Sequence, residues 1–258
     1  MTRWSLYITA YRTIVIKEIL RFMRIWVQTV LPSAITTTLY FVIFGKLIGE
    51  RIGEMGGFSY IEFIVPGLIL MSVIQNSYAN VVSSFFGTKL QHYIEELLIA
   101  TVPNWVVLEG YVSGGVASGT LVGFVLTLIS LFFTDLSLHS FGITLLVFVL
   151  TSILFALGGF INAVYAKTFD DVSIIPTFVL IPLTYLGGIF YSIELLPDFW
   201  QGVSLGNPVL YMVNAFRYGL LGVSDINIFV AISMILVFIA LLATFSLSLL
   251  QRGVGIKK

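Results

Sequence analysis

Six stretches of 21 to 27 residues contain no Asp, Glu, Lys, Arg or His, and nothing else constrains the fold of this chain so tightly. They cover residues 25–45, 63–88, 110–134, 140–166, 172–193 and 226–251. A helix needs about 20 apolar residues to cross the hydrocarbon of a bilayer, so each stretch is long enough, most with room for tilt. In lipid every backbone N–H and C=O must be satisfied within the spanning structure, which makes these stretches helices. They are too long for barrel strands and lack strict alternation. Composition agrees, with 10% charged residues here against roughly 25% in water-soluble domains. The expected fold is an all-α integral membrane protein. It forms a single domain over 1–258, with spans at about 25–47, 61–86, 108–134, 140–166, 172–193 and 226–251.

A further charge-free run, 199–216, carries Gln201, Gly202, Ser204, Gly206, Asn207, Pro208 and Asn214. It is too polar and broken for an independent crossing, so 194–225 reads as an external region with short re-entrant helices. The alternative is a seventh span. Six spans place both termini on one side. That side holds ten of the thirteen Lys and Arg residues, among them Arg3, Arg12, Lys17, Arg21, Arg24, Lys89 and Lys167. The other side holds Lys46, Arg51 and Arg217. The positive-inside rule then makes the N- and C-termini cytoplasmic. Residues 1–24 read as an amphipathic interface helix, not a cleaved signal, with Trp4, Tyr7, Ile8, Tyr11, Ile14 and Phe22 on its apolar side. Its polar side carries Arg12, Lys17, Glu18, Arg21 and Arg24. It serves as a topology anchor or as a contact for a cytoplasmic partner.

Function classes fall away by absence. The chain has no cysteine and only two histidines, His92 and His139, which argues against thiolate chemistry and metal cages. Zero net charge gives no pull toward nucleic acid. Ion-coupled carriers and voltage sensors place ionisable groups inside their spans, and these spans hold none. No phosphate-binding loop of the G-x-x-x-x-G-K-[ST] type occurs. No catalytic residue, cofactor site or metal site is expected, and transport would draw its energy from a separate nucleotide-binding subunit.

Several features invite a role. Gly115, Gly119 and Gly123 form a ladder whose simplest reading is close helix packing within the chain, and whose sharper one is a dimer contact. Pro32, Pro176 and Pro182 bring kinks to the first and fifth spans. Residues 89–100 form a short amphipathic helix with Leu90, Tyr93, Ile94, Leu97 and Leu98 on one face and Glu95 and Glu96 among the polar positions. Such a helix lies on the membrane or docks into a partner's groove. Arg217, isolated in apolar sequence, is expected to form a structural ion pair with Glu194, Asp198 or Asp225.

Taken in order, four segments resemble the membrane subunits of ABC-2 type exporters. They are the basic helix ending in Arg21 to Arg24, the run from Phe63 through Pro66, Gly67 and Leu68, the segment Ile94 to Ala100 with Pro103, and Asn207-Pro208 with Tyr211 and Arg217. Segments 166–171 and 185–191 are most similar to bacterial YadH-type inner-membrane transport permeases. The resemblance covers essentially the whole chain, with Thr101 and Val209 as departures from the usual pattern. It implies a permease working as a homodimer in the bacterial inner membrane, in contact with membrane lipid. A separate ABC ATP-binding subunit would use ATP and Mg2+. It assigns Tyr93, Ile94, Glu95, Glu96 and Leu97 to ATPase coupling, and Asn207, Pro208, Tyr211 and Arg217 to the external re-entrant motif. The first and fifth spans would form the dimer seam. A passive channel or a non-transport membrane scaffold is the alternative, and an intramembrane enzyme a remote third.

Overall fold

The structure is a computed structural model that describes residues 3–94 and 102–255. Helix α1 is Arg3–Arg24. Helix α2, Trp26–Tyr40, continues through a wide π segment, Phe41–Ile48, into a last turn, Gly49–Ile52. Helices α3 (Tyr60–Leu90), α4 (Asn104–Ser130) and α5 (Phe141–Tyr165) follow. Helix α6 runs over 169–185 as Phe169–Ile175, a π segment Pro176–Leu180 and Ile181–Tyr185. Two short helices, α7 (Asp198–Leu205) and α8 (Pro208–Leu221), precede α9 (Ile228–Arg252).

Among the described residues five helices are long and apolar enough to cross a membrane, namely 26–52, α3, α4, α5 and α9. The fifth expected span differs. Its helix begins at Phe169 and stops at Tyr185, and residues 186–192 turn irregularly instead of continuing to 193. Two prolines shape it. Pro182 has no N–H to give Phe178, and the Pro176–Leu180 π segment widens the turn to accommodate the missing bond. Its start is fixed by a capping box in which the Lys167 and Thr168 N–H groups donate to Asp171 Oδ2 at 2.8 and 3.0 Å. A second departure from the all-α expectation is a hairpin, β1 (Glu54–Met55) against β2 (Phe58–Ser59). Gly56 and Gly57 both have positive φ, 63° and 81°, which a two-residue hairpin turn of this hand requires.

Helix α3 occupies the centre. It buries 21 of its 31 residues, from Tyr60 through Phe86. Helices α4, α5 and α8 pack around it, and α2 and α9 lie outside. The periphery is apolar: Phe124, Phe132, Phe141, Phe178, Phe229 and Leu241 are all more than half exposed, as a lipid-facing surface requires.

The glycine ladder packs within the chain. A Cβ on Gly115 would sit 2.7 Å from Val81 of α3 and 2.9 Å from Ala156 of α5, and Gly119 and Gly123 face the same two helices. Small residues at that spacing let three backbones converge.

Candidate functional site

At the end of the bundle that carries α1, a polar network fastens this helix to α3 and α4. Ile14, Glu18 and Phe22, spaced by four, form its inward face. Gly110 and Gly114 of α4 leave room for Ile14 and Glu18, for a Cβ on either glycine would meet those side chains. Glu18 is fully buried and not on a solvated face as the amphipathic pattern suggested. Ser84 donates to its Oε1 at 2.6 Å, and Arg21 Nε donates to its Oε2 at 3.3 Å. Lys17 completes the cluster at 3.6 Å. Arg21 donates further to the Asn80 carbonyl (2.8 Å) and Ser83 Oγ (3.3 Å). A buried carboxylate is tolerable only with such pairing and hydrogen bonding. Arg12 and Arg24 remain exposed.

Beside this network, Tyr93 is exposed while Ile94 is buried in the apolar cluster that also holds Val107, Val164 and Leu249. Ile94 therefore packs into the bundle. Glu95, Glu96 and Leu97 lie outside the described residues. Lys89, counted in the sequence only as a topology charge, donates to the carbonyls of Val164 (2.6 Å) and Ala166 (2.7 Å) at the end of α5. A cation there satisfies carbonyls that the helix leaves open. Lys89→Met is expected to lower unfolding stability by about 1–2 kcal/mol, since water replaces part of a charged hydrogen bond. Thermal unfolding in detergent reads this, and an unchanged midpoint would show that water replaces all of it.

At the opposite end, Asn207 ends the α7–α8 turn. Its Oδ1 accepts the Val209 N–H at 2.9 Å, and its Nδ2 donates to the Leu183 carbonyl at 2.7 Å, tying α8 to α6. Pro208 sits at the first helical position, where its missing N–H leaves nothing unpaired. Tyr211 donates to the Leu205 carbonyl at 2.6 Å and holds α7 against α8. The 14 residues of α8 reach only about 21 Å, short of the roughly 30 Å of a bilayer core. Twelve of the 14 are buried.

Arg217 corrects an expectation. Its side chain is fully buried, and the ion pairs found among the described residues are those of Glu18 alone. The guanidinium donates instead to the carbonyls of Gly188 (Nη2, 2.6 Å) and Phe63 (Nε, 3.3 Å), and its Cζ stands 3.7 Å from the centroid of the Phe63 ring. Asp225 accepts the Ile193 N–H at 3.0 Å. The carbonyls of a turn and of a helix start, together with a ring face, take the place of a carboxylate.

Between these two ends, α2, α3 and α6 border a groove whose lining mixes polar and apolar side chains. One cavity of about 280 Å3 is lined by Ser33, Thr36 and Tyr40 of α2, by Ser72 and Gln75 beside Leu68 and Met71 of α3, and by Ile181 and Tyr185 of α6. A second, of about 210 Å3, is lined by Gln28 and Thr29 of α2, Asn76, Asn80 and Ser83 of α3, and Ser118 of α4. Sequence reasoning missed this groove. The available signal was the recurrence of Ser72, Gln75, Asn76, Asn80 and Ser83 on one face of an apolar helix.

Comparison with known proteins bears on this arrangement. Residues 9–221 match the family model described as ABC-2 type transporter. The chain is similar to the inner membrane transport permease YadH of Escherichia coli (strain K12), 58% identical over 252 residues and 98% of each chain. It is more distantly similar to nodulation protein J of Rhizobium leguminosarum bv. viciae, 20% identical over 87% of each chain. Nodulation protein J of Sinorhizobium fredii (strain NBRC 101917 / NGR234) is 24% identical over 84% of this chain and 82% of its own. The chain is a membrane transport permease subunit, and it belongs to the ABC-2 type transporter family.

Proposed function

We propose that this chain is the substrate-conducting half of an exporter of the bacterial inner membrane, working as a homodimer driven by a separate ABC ATP-binding subunit. The observation that carries the reading is the groove between α2, α3 and α6, where Ser, Thr, Asn and Gln side chains line cavities in a surface otherwise suited to lipid. Helix α6 buries only Leu180 and Thr184 within its own chain. Without a hydrophobic drive between helices in lipid, a kinked helix so little packed calls for another protein surface, and a second copy supplies one across the groove. In this reading α6 is the fifth of six crossings. Both termini are cytoplasmic, and α7 and α8 are re-entrant from the outer side. The chain is not itself an enzyme, and the partner uses ATP and Mg2+.

The α1 end then faces the ATPase, with the segment around Tyr93 to Leu97 as the coupling element. Because α1 is locked to α3 and α4 through Glu18, a push on either is carried into the groove-lining helix. The decisive measurement is ATP hydrolysis by the permease reconstituted with an ATP-binding subunit that copurifies with it. Hydrolysis that depends on the permease is expected, and its absence in every such pairing defeats the reading. Glu95→Arg combined with Glu96→Arg is expected to abolish copurification of the ATPase, at least tenfold below wild type, with normal membrane insertion. Normal assembly in that double variant removes the coupling assignment.

A further inference from the structure

We propose that a cavity between α4, α5 and α8 seats one hydrocarbon chain of a bilayer phospholipid. Gly115, Gly119 and Gly123 hold α4 close against its neighbours. At Thr127, the next position of that spacing, the side chain borders a cavity of about 300 Å3. Phe216 and Leu220 of α8 form its floor and are only 2% and 5% exposed. Phe124 of α4 and Phe141 and Leu145 of α5 form its rim, each more than half exposed. The α4 wall runs from Thr120 to Thr127 and the α5 wall from Phe141 to Phe148, about 10 Å along each helix. Both helices are long and apolar enough to cross the membrane, so the slot runs the way lipid chains run.

Three observations name the occupant. First, the slot has almost nothing to hold water. Of its three threonines, Thr127 donates to the Gly123 carbonyl at 2.8 Å and Thr144 to the Ser140 carbonyl at 2.9 Å. The Thr120 hydroxyl is left, and an ordered water needs two to four polar partners. Second, the rim continues into the lipid-facing surface through Leu128 and the strongly exposed Phe132. An unfilled slot there would cost its walls the dispersion contacts that a chain supplies. Third, the homodimer reading places a second copy across α2 and α6, and neither helix lines this slot. Only this third point rests on that reading. The lipid's direction follows from Leu138, which closes one end from the loop between α4 and α5. That loop exposes Asp135 and His139, and Ser137 Oγ and the His139 N–H both donate to the Leu220 carbonyl, at 3.1 and 3.0 Å. The polar head therefore lies beside the loop, and the chain points toward Thr120. A chain so placed is a wedge between the α4–α5 pair and α8, the helix that carries Arg217.

The test uses the full chain in nanodiscs that contain a phosphatidylcholine with a photoactivatable diazirine midway along one chain. After irradiation, labelled residues are mapped by peptide mass spectrometry. Bulk lipid reaches exposed positions such as Phe141 and Leu241 but not Phe216 or Leu220, which are buried. Label on Phe216 or Leu220 of the wild-type protein is therefore the expected result. Leu145→Trp and Thr120→Phe each push a ring into the slot from an exposed position, where the fold has room for it. Each is expected to cut that label about tenfold, the worth of displacing about two methylenes of chain. Label on Leu241 of α9, outside the slot, is expected to stay unchanged. Label confined to exposed residues in the wild-type protein overturns the proposal, and this result needs no variant to fold. Undiminished label on Phe216 and Leu220 in both folded variants also overturns it. Label that reaches Phe216 and Leu220 only after dimers are dissociated assigns the slot to a second copy, and overturns it as well. The export reading is untouched by any of these results, since permease-dependent ATP hydrolysis is measured separately.

Discussion

Gly159→Ala is expected to destabilise the permease severely, by about 3 kcal/mol, at the upper end of the range for overpacked cores. The neighbouring Gly158→Ala is expected to be neutral or mildly stabilising. A single methyl separates the outcomes because of what it meets. At 159 the new Cβ would lie 2.5 Å from the Tyr78 carbonyl oxygen, 3.2 Å from its carbon and 3.3 Å from its Cα. Those are backbone atoms of the central helix, which is buried on the side facing α4 and α5 and cannot withdraw without disturbing the contact of Val81 with the ladder glycine Gly115. At 158 the nearest atoms are edges of the Tyr78 ring at 3.8 and 3.9 Å, ordinary contact distances. Alanine there also removes the conformational freedom that makes glycine an inferior helix residue by about 1 kcal/mol. Thermal unfolding of the two variants in the same detergent compares them directly. Similar midpoints would mean that the α3–α5 contact is looser than its geometry.

The membrane architecture was legible in the sequence because the lipid constraint acts on every residue of a span. A water-facing helix cannot go more than 20 residues without a charge and stay soluble, whereas a lipid-facing one must. The ladder glycines were legible for the same reason, since close helix contact leaves a small residue at every fourth position. What escaped were features set by a single partner in space. The amphipathic pattern of α1 placed Glu18 with Lys17 and Arg21 on a polar face, and nothing in that pattern says that Ser84, 66 residues away, donates to its carboxylate. The π turn within α6 follows from prolines that the sequence displayed plainly. Yet proline is tolerated in membrane helices when neighbours or a π turn satisfy the freed groups, so its presence alone fixes neither a kink nor a stop. The groove escaped because Ser and Asn in a span read one by one as isolated polar residues. Only the packing of α2 against α3 turns them into a lining. Glu95, Glu96 and Leu97, the sequence's coupling residues, stand as a proposal on the pattern of residues 89–100.

Arg217→Met is expected to lower unfolding stability by about 2–4 kcal/mol, and Arg217→Lys to recover less than half of that loss. The sign needs an argument, because removing a buried cation also removes its desolvation penalty, and apolar replacements of buried charges are at times neutral or stabilising. Here two losses oppose that gain. Methionine leaves the Gly188 carbonyl without its donor in a region where water does not reach, at about 1–3 kcal/mol for a group left unmade, and takes a second donor from the Phe63 carbonyl, which α3 itself already pairs. It also removes a cation held 3.7 Å from the Phe63 ring, an interaction worth about 2 kcal/mol when desolvated. The flat guanidinium donates sideways to two carbonyls while its face lies on the ring. An ammonium is a point charge that cannot do all three at once. The turn at Gly188, whose φ is 69°, then loses its tie to α8 through Arg217 and keeps the Tyr60 hydroxyl's 3.0 Å hydrogen bond to the Phe190 carbonyl as a tie to the start of α3. The loss should therefore show as local loosening as well as a lower midpoint. A cysteine placed at exposed Leu195, beyond that turn, is expected to react several-fold faster with a membrane-impermeant maleimide in the Arg217→Met background. Wild-type stability and labelling in that background would mean that the Gly188 carbonyl finds another donor, and that Arg217 is held for transport and not for the fold.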